Sequence, residues 1–294
     1  MKFLTREDIN TEKWNKRIEK DGLENVFSYT WYLDATAESW GALISGDDFT
    51  TVMPVAYTSK LGIKRMYQAP FTREYSIFGT DFDWNEALDF LTKEFKHISF
   101  RSGELGLTKM VENRQHQELK LTEEFPTLYR SNAKRLVKKG NKIFQFRLGT
   151  DPTPLIELFE ATVAHKVEAV GTVEIENLKQ LMRDAIQLGK GELIEVIEDG
   201  KLVASGFFLI DKKRITYLKG AALDDAKKAG AMYSLFNYAF ERYQKNYDTF
   251  DFGGSDIEAV ANFFRKFGAT DRNYYNYTID NSPLWFKTLK RLKG

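Results

Sequence analysis

The 294-residue chain contains no cysteine. That excludes disulfides, thiol nucleophiles and cysteine-ligated zinc, and it fits a reducing cytoplasm, the expected location. Histidine is scarce. His97, His116 and His165 are scattered along the chain, and none has metal-ligand spacing to another, so no metal centre is expected. No segment approaches the ~18 apolar residues of a membrane-spanning helix. The opening MKFLTREDIN lacks the apolar stretch of a signal peptide. Neither sign of charge dominates: 43 Lys and Arg face 42 Asp and Glu, so no global field draws nucleic acid or membrane. Basic function must come from local patches. There is also no Gly-x-Ser-x-Gly elbow, Walker loop or dinucleotide fingerprint, which argues against a serine hydrolase, an NTPase or a dehydrogenase.

What the chain does have is apolar bulk. Hydrophobic residues make up 43% of it, with 23 Phe and 14 Tyr, enough for large cores with sheet-rich packing. The length favours two domains of mixed α/β class. In the first half a helix is expected from Asn10 to Glu19, another from Ser28 to Ser39, and a third from Trp84 to Lys96. Strands are expected at ALIS, TTVMPVAYT, KRMYQAP, HISFRS and QHQELKL. In the second half strand IFQFRL leads to helix PTPLIELFEATVAHK, with Asp151 as N-cap, and to helix VEIENLKQLMRDAIQL. A meander follows: GELIEVIE, an Asp199-Gly200 hairpin turn, KLVASGFFLI, a second turn, then RITYLKGAAL.

The most telling stretch comes next. RITYLKGAAL runs into a small-residue turn around Gly230 and then helix AMYSLFNYAFERYQ. YDTFDF runs into Gly253-Gly254-Ser255 and a further helix. Two successive strand–turn–helix units with small turns aim backbone N–H groups from helix N-termini, the arrangement that binds phosphates and carboxylates. Between the halves, YRSNAKRLVKKGNK reads as a basic helix capped by Ser131 or Asn132. Lys134, Lys138 and Lys142 lie on one line, with Arg135 and Lys139 alongside.

This order of elements resembles the GNAT acyltransferase fold. Together with the TTVMPVAYTSKLGIKRMYQAPFTREYSIFG string, the basic segment and the ending FDFGGSDIEAVANFFRKFGA, it is similar to the Fem-type peptidyltransferases and related GNAT-family acetyltransferases. The resemblance implies two tandem GNAT-like domains with mixed sheets flanked by helices. The first would cover 1–145, with a basic linker helix at about 129–142. The second, donor-binding, would cover 146–280, and 281–294 would return to the first. No sequence repeat between the halves is visible.

The resemblance also implies roles. The turn Lys228, Ala229, Gly230, Ala231 and Met232 would cradle the pyrophosphate of an acyl-CoA; the alternative is an ordinary helix start. Gly253, Gly254 and Ser255, with Lys266, would complete the donor site, although Ser255 also serves as a simple N-cap. Tyr217, Lys219 and Glu195 are the catalytic candidates, as proton donor, oxyanion neutraliser and general base. Strand parity does not settle which way they face. Asp251, at a strand end, would orient an amine; a solvated or turn-bonding aspartate is the alternative. Arg73 and Tyr75, with Lys134 and Arg135, would recognise an amine acceptor, whether small molecule or peptide, or the phosphates of a tRNA; solvated surface is the alternative. In GNAT enzymes the helix ending Leu-Tyr-x-Lys-x-Gly-Phe carries a tyrosine that protonates the leaving thiolate. Here Phe264 stands at that place. Three readings remain: acyl-CoA-dependent N-acyl transfer, aminoacyl-tRNA-dependent transfer, and a binding module that kept the fold without catalysis.

Overall fold

The computed structural model describes residues 1–46, 48–80, 82–107, 111–162, 171–254, 257–286 and 288. The chain divides into two compact units, Met1–Arg114 with Asn273–Gly294, and Gln115–Arg272.

In the first unit β1 (Lys2–Thr5), β2 (Ser39–Ser45), β3 (Thr51–Lys60) and β4 (Ile63–Met66) pair antiparallel in sequence order. Helices α1 (Thr11–Lys20) and α2 (Thr30–Thr36) separate β1 from β2. Asn10 caps α1 by accepting the Lys13 N–H, and Trp14 and Ile18, four apart, are the face it buries. The crossover helix α3 (Trp84–Glu94), capped by Asp83, lets β5 (His97–Ser102) lie parallel to β4. The C-terminal strand β12 (Thr270–Asp280) completes this sheet, antiparallel to β5 with Tyr277 opposite Phe100.

The second unit repeats that plan. Strands β7 (Gln145–Gly149), β8 (Gly191–Glu198), β9 (Lys201–Asp211) and β10 (Arg214–Ala222) run antiparallel in order. Helices α5 (Thr153–Thr162) and α6 (Thr172–Gln187) separate β7 from β8. After β10 come α7 (Asp224–Ala229) and α8 (Ala231–Tyr243), then β11 (Thr249–Asp251), parallel to β10. Antiparallel to β11 lies β6 (Val111–Lys120), with Glu118 opposite Asp251. Helix α9 (Glu258–Arg265) follows β11. The duplication that the sequence does not display is therefore plain in the strand order. In each unit four antiparallel strands are followed by a parallel fifth and an antiparallel sixth.

The sixth strand explains where the units divide. β6 follows β5 in the chain but pairs with β11, and β12 follows β11 but pairs with β5. The compact units accordingly break at Arg114 and Arg272 instead of near 145. The basic helix, α4 (Ser131–Gly140), is part of the second unit and not a linker. Ser131 and Asn132 are its first helical residues, with Arg130 at the N-cap position. The helix expected to Ser39 ends at Thr36, because Ser39 already pairs with Tyr57 in the sheet. Beyond Thr162 the expected extension of α5 lies outside the described residues.

The core of the second unit is aromatic. Phe236 on α8 is fully buried, and its ring contacts Tyr217, Phe240, Phe250, Phe252, Phe263, Phe264 and Phe267. Helix α4 packs on α8 so closely that a Cβ on Gly140 would sit 2.0 Å from the Ser234 hydroxyl. Phe236→Ala removes the ring at the centre of this cluster. The expected cost is about 3–5 kcal/mol in urea denaturation of the intact chain, since the neighbouring rings are too constrained to fill the void.

Candidate active site

Strands β10 and β11 stay together for only three residue pairs, ending at Thr216 opposite Asp251. Beyond that, Lys219, Gly220, Ala221 and Ala222 pair with β9 alone. Two features open the gap. A register shift between Tyr217 and Lys219 marks a bulge in β10. On the other side the chain leaves β11 through Gly253 and Gly254, with φ of 77° and 84°. A Cβ on Gly253 would lie 2.4 Å from the Tyr217 carbonyl oxygen, and one on Gly254 would lie 2.9 Å from the His116 Cβ. Both glycines are thus required by close approach of the chain, whatever else they contact. Ser255 lies outside the described residues.

The bulge also decides where the catalytic candidates point. Tyr217 pairs with Phe208 and Lys219 with Phe207, neighbours that face opposite sides of β9. Tyr217 packs on Phe236 of α8 and Phe264 of α9, while the Lys219 ammonium sits 4.0 Å from the Phe159 ring centre on α5. Two residues of one strand that would normally share a face are separated by it. Tyr217 keeps some accessible surface, and its hydroxyl has no hydrogen-bond partner among the described residues. It lies over Gly220, whose missing Cβ makes room for it. Burial raises the Tyr217 phenol above the ordinary tyrosine range, keeping it protonated. Burial lowers the Lys219 ammonium. Glu195 is buried on β8 against Arg147 of the edge strand β7, two strands away from β10, so it does not join either of them.

The turn around Gly230 differs from the loop expected. Asp224 and Asp225 open the short helix α7, where acidic residues favour a helix N-terminus. Lys228 and Ala229 lie inside it, and the Gly230 N–H returns to Ala226 and Lys227. Lys228 is exposed and paired with Asp225. Gly230, at φ 102°, is the left-handed hinge between α7 and α8. The first turn of α8 carries the amides of Ala231, Met232 and Tyr233. The Lys266 ammonium donates to the Tyr233 hydroxyl at 3.3 Å, and the Lys266 carbonyl accepts the Arg130 N–H. Arg130 begins α4, on which Ala133, Val137 and Gly140 are buried and Lys134, Arg135, Lys138 and Lys139 are exposed. Those four cations make no ion pair with any described residue, although Arg135 bonds Asn132 and Lys134 bonds the Thr127 carbonyl.

In the first unit, Arg73 and Tyr75 are interior residues. Arg73 is 8% exposed, bonded to Glu74 and placed over the Phe27 ring. Tyr75 has no exposed surface; its hydroxyl accepts the Ala69 N–H and burial raises its pKa. Both side chains are buried within the first unit.

The sequence reading missed a buried polar cluster at the point where β10 and β11 part. Asp251 is 0% exposed. Its carboxylate accepts from the Gly253 N–H at 2.9 Å and from Arg214 at 3.0 Å, and it faces His116 Nδ1 at 3.3 Å. Arg214 also bonds Glu118, and Arg272 approaches the other Glu118 oxygen at 3.3 Å. His116, Glu118 and Asp251 offer ligand atoms within 4.8 Å of one another. However, the Arg214 guanidinium bonds both carboxylates and already supplies the positive charge there. One signal was available in sequence: His116 and Glu118 alternate along QHQELKL, and therefore share a face.

Residues 128–265 match a family model described as an acetyltransferase (GNAT) domain. Among solved structures, FemX is 13% identical over 97% of this chain and 99% of its own, with a TM-score of 0.65. The C-terminal domain of a putative lysylphosphatidylglycerol synthetase from Agrobacterium fabrum is 13% identical over 92% of each chain, at 0.62. A tandem GNAT protein from the clavulanic acid biosynthesis pathway is 11% identical over 96% of this chain and 99% of its own, at 0.55. No curated protein matched the sequence. The chain has the GNAT fold, in the form it shares with Fem-like proteins. Among the described residues no helix is long and apolar enough to cross a membrane.

The lowered Lys219 pKa makes a linkage prediction. Between that value and the ~10.4 of an unfolded lysine the unfolded chain binds more protons, so stability contributed by this site rises with pH across that window. Lys219→Met should flatten the slope in denaturation measured from neutral pH to about pH 10. An unchanged slope would show that Lys219 carries an ordinary charge.

Proposed function

We propose that the protein is an N-acyltransferase that moves an acyl group from a CoA thioester to an amine. The observation that carries this reading is the parting of β10 and β11 beside a bulge. It leaves one edge of β10 unpaired from Leu218 onward, where a donor can lie against the strand. The first turn of α8, with Lys266 reaching the Tyr233 hydroxyl, would hold the donor's phosphates. The glycine turn at Gly253 and Gly254 would border the gap, and Asp251 and Lys219 would stand on the acceptor side of the sheet.

The amine nitrogen attacks the thioester carbonyl, a C–N bond forms and the C–S bond breaks. The departing sulfur takes the Tyr217 proton, the nitrogen's surplus proton passes to water, and water later restores the phenol. Tyr217 suits that task because it is held protonated and packs on Phe264, the residue that replaces the usual tyrosine of the fold. The rest of the rate enhancement would come from positioning and backbone donors.

A second reading, with aminoacyl-tRNA as donor, has one observation in its favour. The exposed lysines and Arg135 of α4 form a cationic face without carboxylate partners among the described residues, matched to a run of phosphates. Thermal shift separates the readings. Acetyl-CoA or CoA should raise Tm under the first; aminoacyl-tRNA should do so under the second, with the effect lost at high salt. Indifference to both would mark a non-catalytic binding module. With acetyl-CoA as donor, Tyr217→Phe should lower kcat by about 100-fold while leaving the CoA dissociation constant unchanged. Equal turnover by the variant would remove Tyr217 from the mechanism.

A further inference from the structure

We propose that the cationic face of α4 docks the protein on an anionic lipid bilayer; this does not depend on the transferase reading above. The chain is close to neutral, yet between Glu124 and Asp151 it holds no acidic residue. Within that stretch Arg130, Lys134, Arg135, Lys138, Lys139 and Lys142 are all exposed. None of them forms an ion pair with a described residue. Lysines on other helices are matched: Lys16 with Glu12, Lys227 with Asp224 and Lys228 with Asp225. Like charges one turn apart destabilise a helix, and an anionic surface laid against them removes that repulsion.

The packing of α4 sets the kind of contact. Its apolar residues Ala133 and Val137 are buried, and Gly140 lies hard against Ser234 of α8, so the helix cannot roll that side into a bilayer. What it offers outward is a row of charge. Lys134 and Lys138, like Arg135 and Lys139, are one turn apart, about 6 Å along the axis. Long lysine stems let each ammonium find its own headgroup in a fluid layer. Lysines outnumber arginines here, whereas the fixed phosphates of a nucleic acid favour the arginine fork. The helix sequence, SNAKRLVKKG, also has no aromatic ring on which the bases of a single strand could stack. At the head of the helix Leu128 is 52% exposed, two residues before Arg130, an apolar side chain suited to the headgroup boundary. The contact is therefore peripheral: it draws on charge, weakens as salt screens it, and inserts no helix.

Vesicle flotation of the full chain tests this without any donor or acceptor. Vesicles of phosphatidylcholine mixed with phosphatidylserine should carry the protein up a density gradient, and vesicles of phosphatidylcholine alone should not. Added salt should release it. Lys138→Gln with Lys139→Gln should weaken partitioning about 30-fold, at roughly fivefold for each lysine near the surface. Lys13→Gln with Lys16→Gln removes the same net charge from lysines paired with Asp48 and Glu12, and should leave binding unchanged. All four side chains are exposed, so both double variants should melt with the parent. No binding to the anionic vesicles, or an equal loss in the two double variants, would overturn the proposal. So would a chain that ignores the vesicles but binds duplex RNA through Lys138 and Lys139, which would assign the face to nucleic acid.

Discussion

The second unit depends on one constraint: a parallel strand pair that cannot continue. Thr216 and Asp251 are the last partners, and past them the backbone of Gly253 presses against the Tyr217 carbonyl and turns away. A bulge lengthens β10 at the same point. Unpaired backbone in a sheet interior is costly, so such an opening persists only where the surroundings hold it or a ligand completes it. Here an aromatic cluster around Phe236 holds one side and a charge network around Arg214 holds the other.

Those supports give the two faces of the opening different surroundings. On the α8 face Tyr217 packs among the rings of Phe236 and Phe264, where burial keeps its phenol protonated. On the α5 face the side chains are polar: Asp251, Glu118, Arg214, His116 and Lys219. The bulge at Leu218 creates the division by turning Tyr217 and Lys219 to opposite sides.

Much of this could be seen in the linear chain. The meander, the Asp199-Gly200 turn, the α8 and α9 helices and the amphipathic α4 follow from local periodicity and turn chemistry. Phe264 in place of a tyrosine was legible because it breaks a local motif. Other features escaped for physical reasons. Glu195 and Tyr217 looked equivalent because the direction of a strand side chain depends on register, and one extra residue in a bulge inverts it. Tyr75 and Arg73 resembled surface recognition residues, yet their partners, Ala69 and Glu74, turn them inward. Helix α7 displaced the expected open loop because two adjacent aspartates after Leu223 favour a helical first turn.

The sequence by itself determined the inventory of elements, the absence of thiol chemistry and the small residues that each tight turn requires, because these depend on neighbours within a few positions. Only tertiary structure decided which strands pair. The exchange of β6 and β12 between sheets, and with it the meeting of His116 with Asp251 across 135 positions of chain, rests on long-range hydrogen bonding. No local pattern of side chains encodes that partner choice.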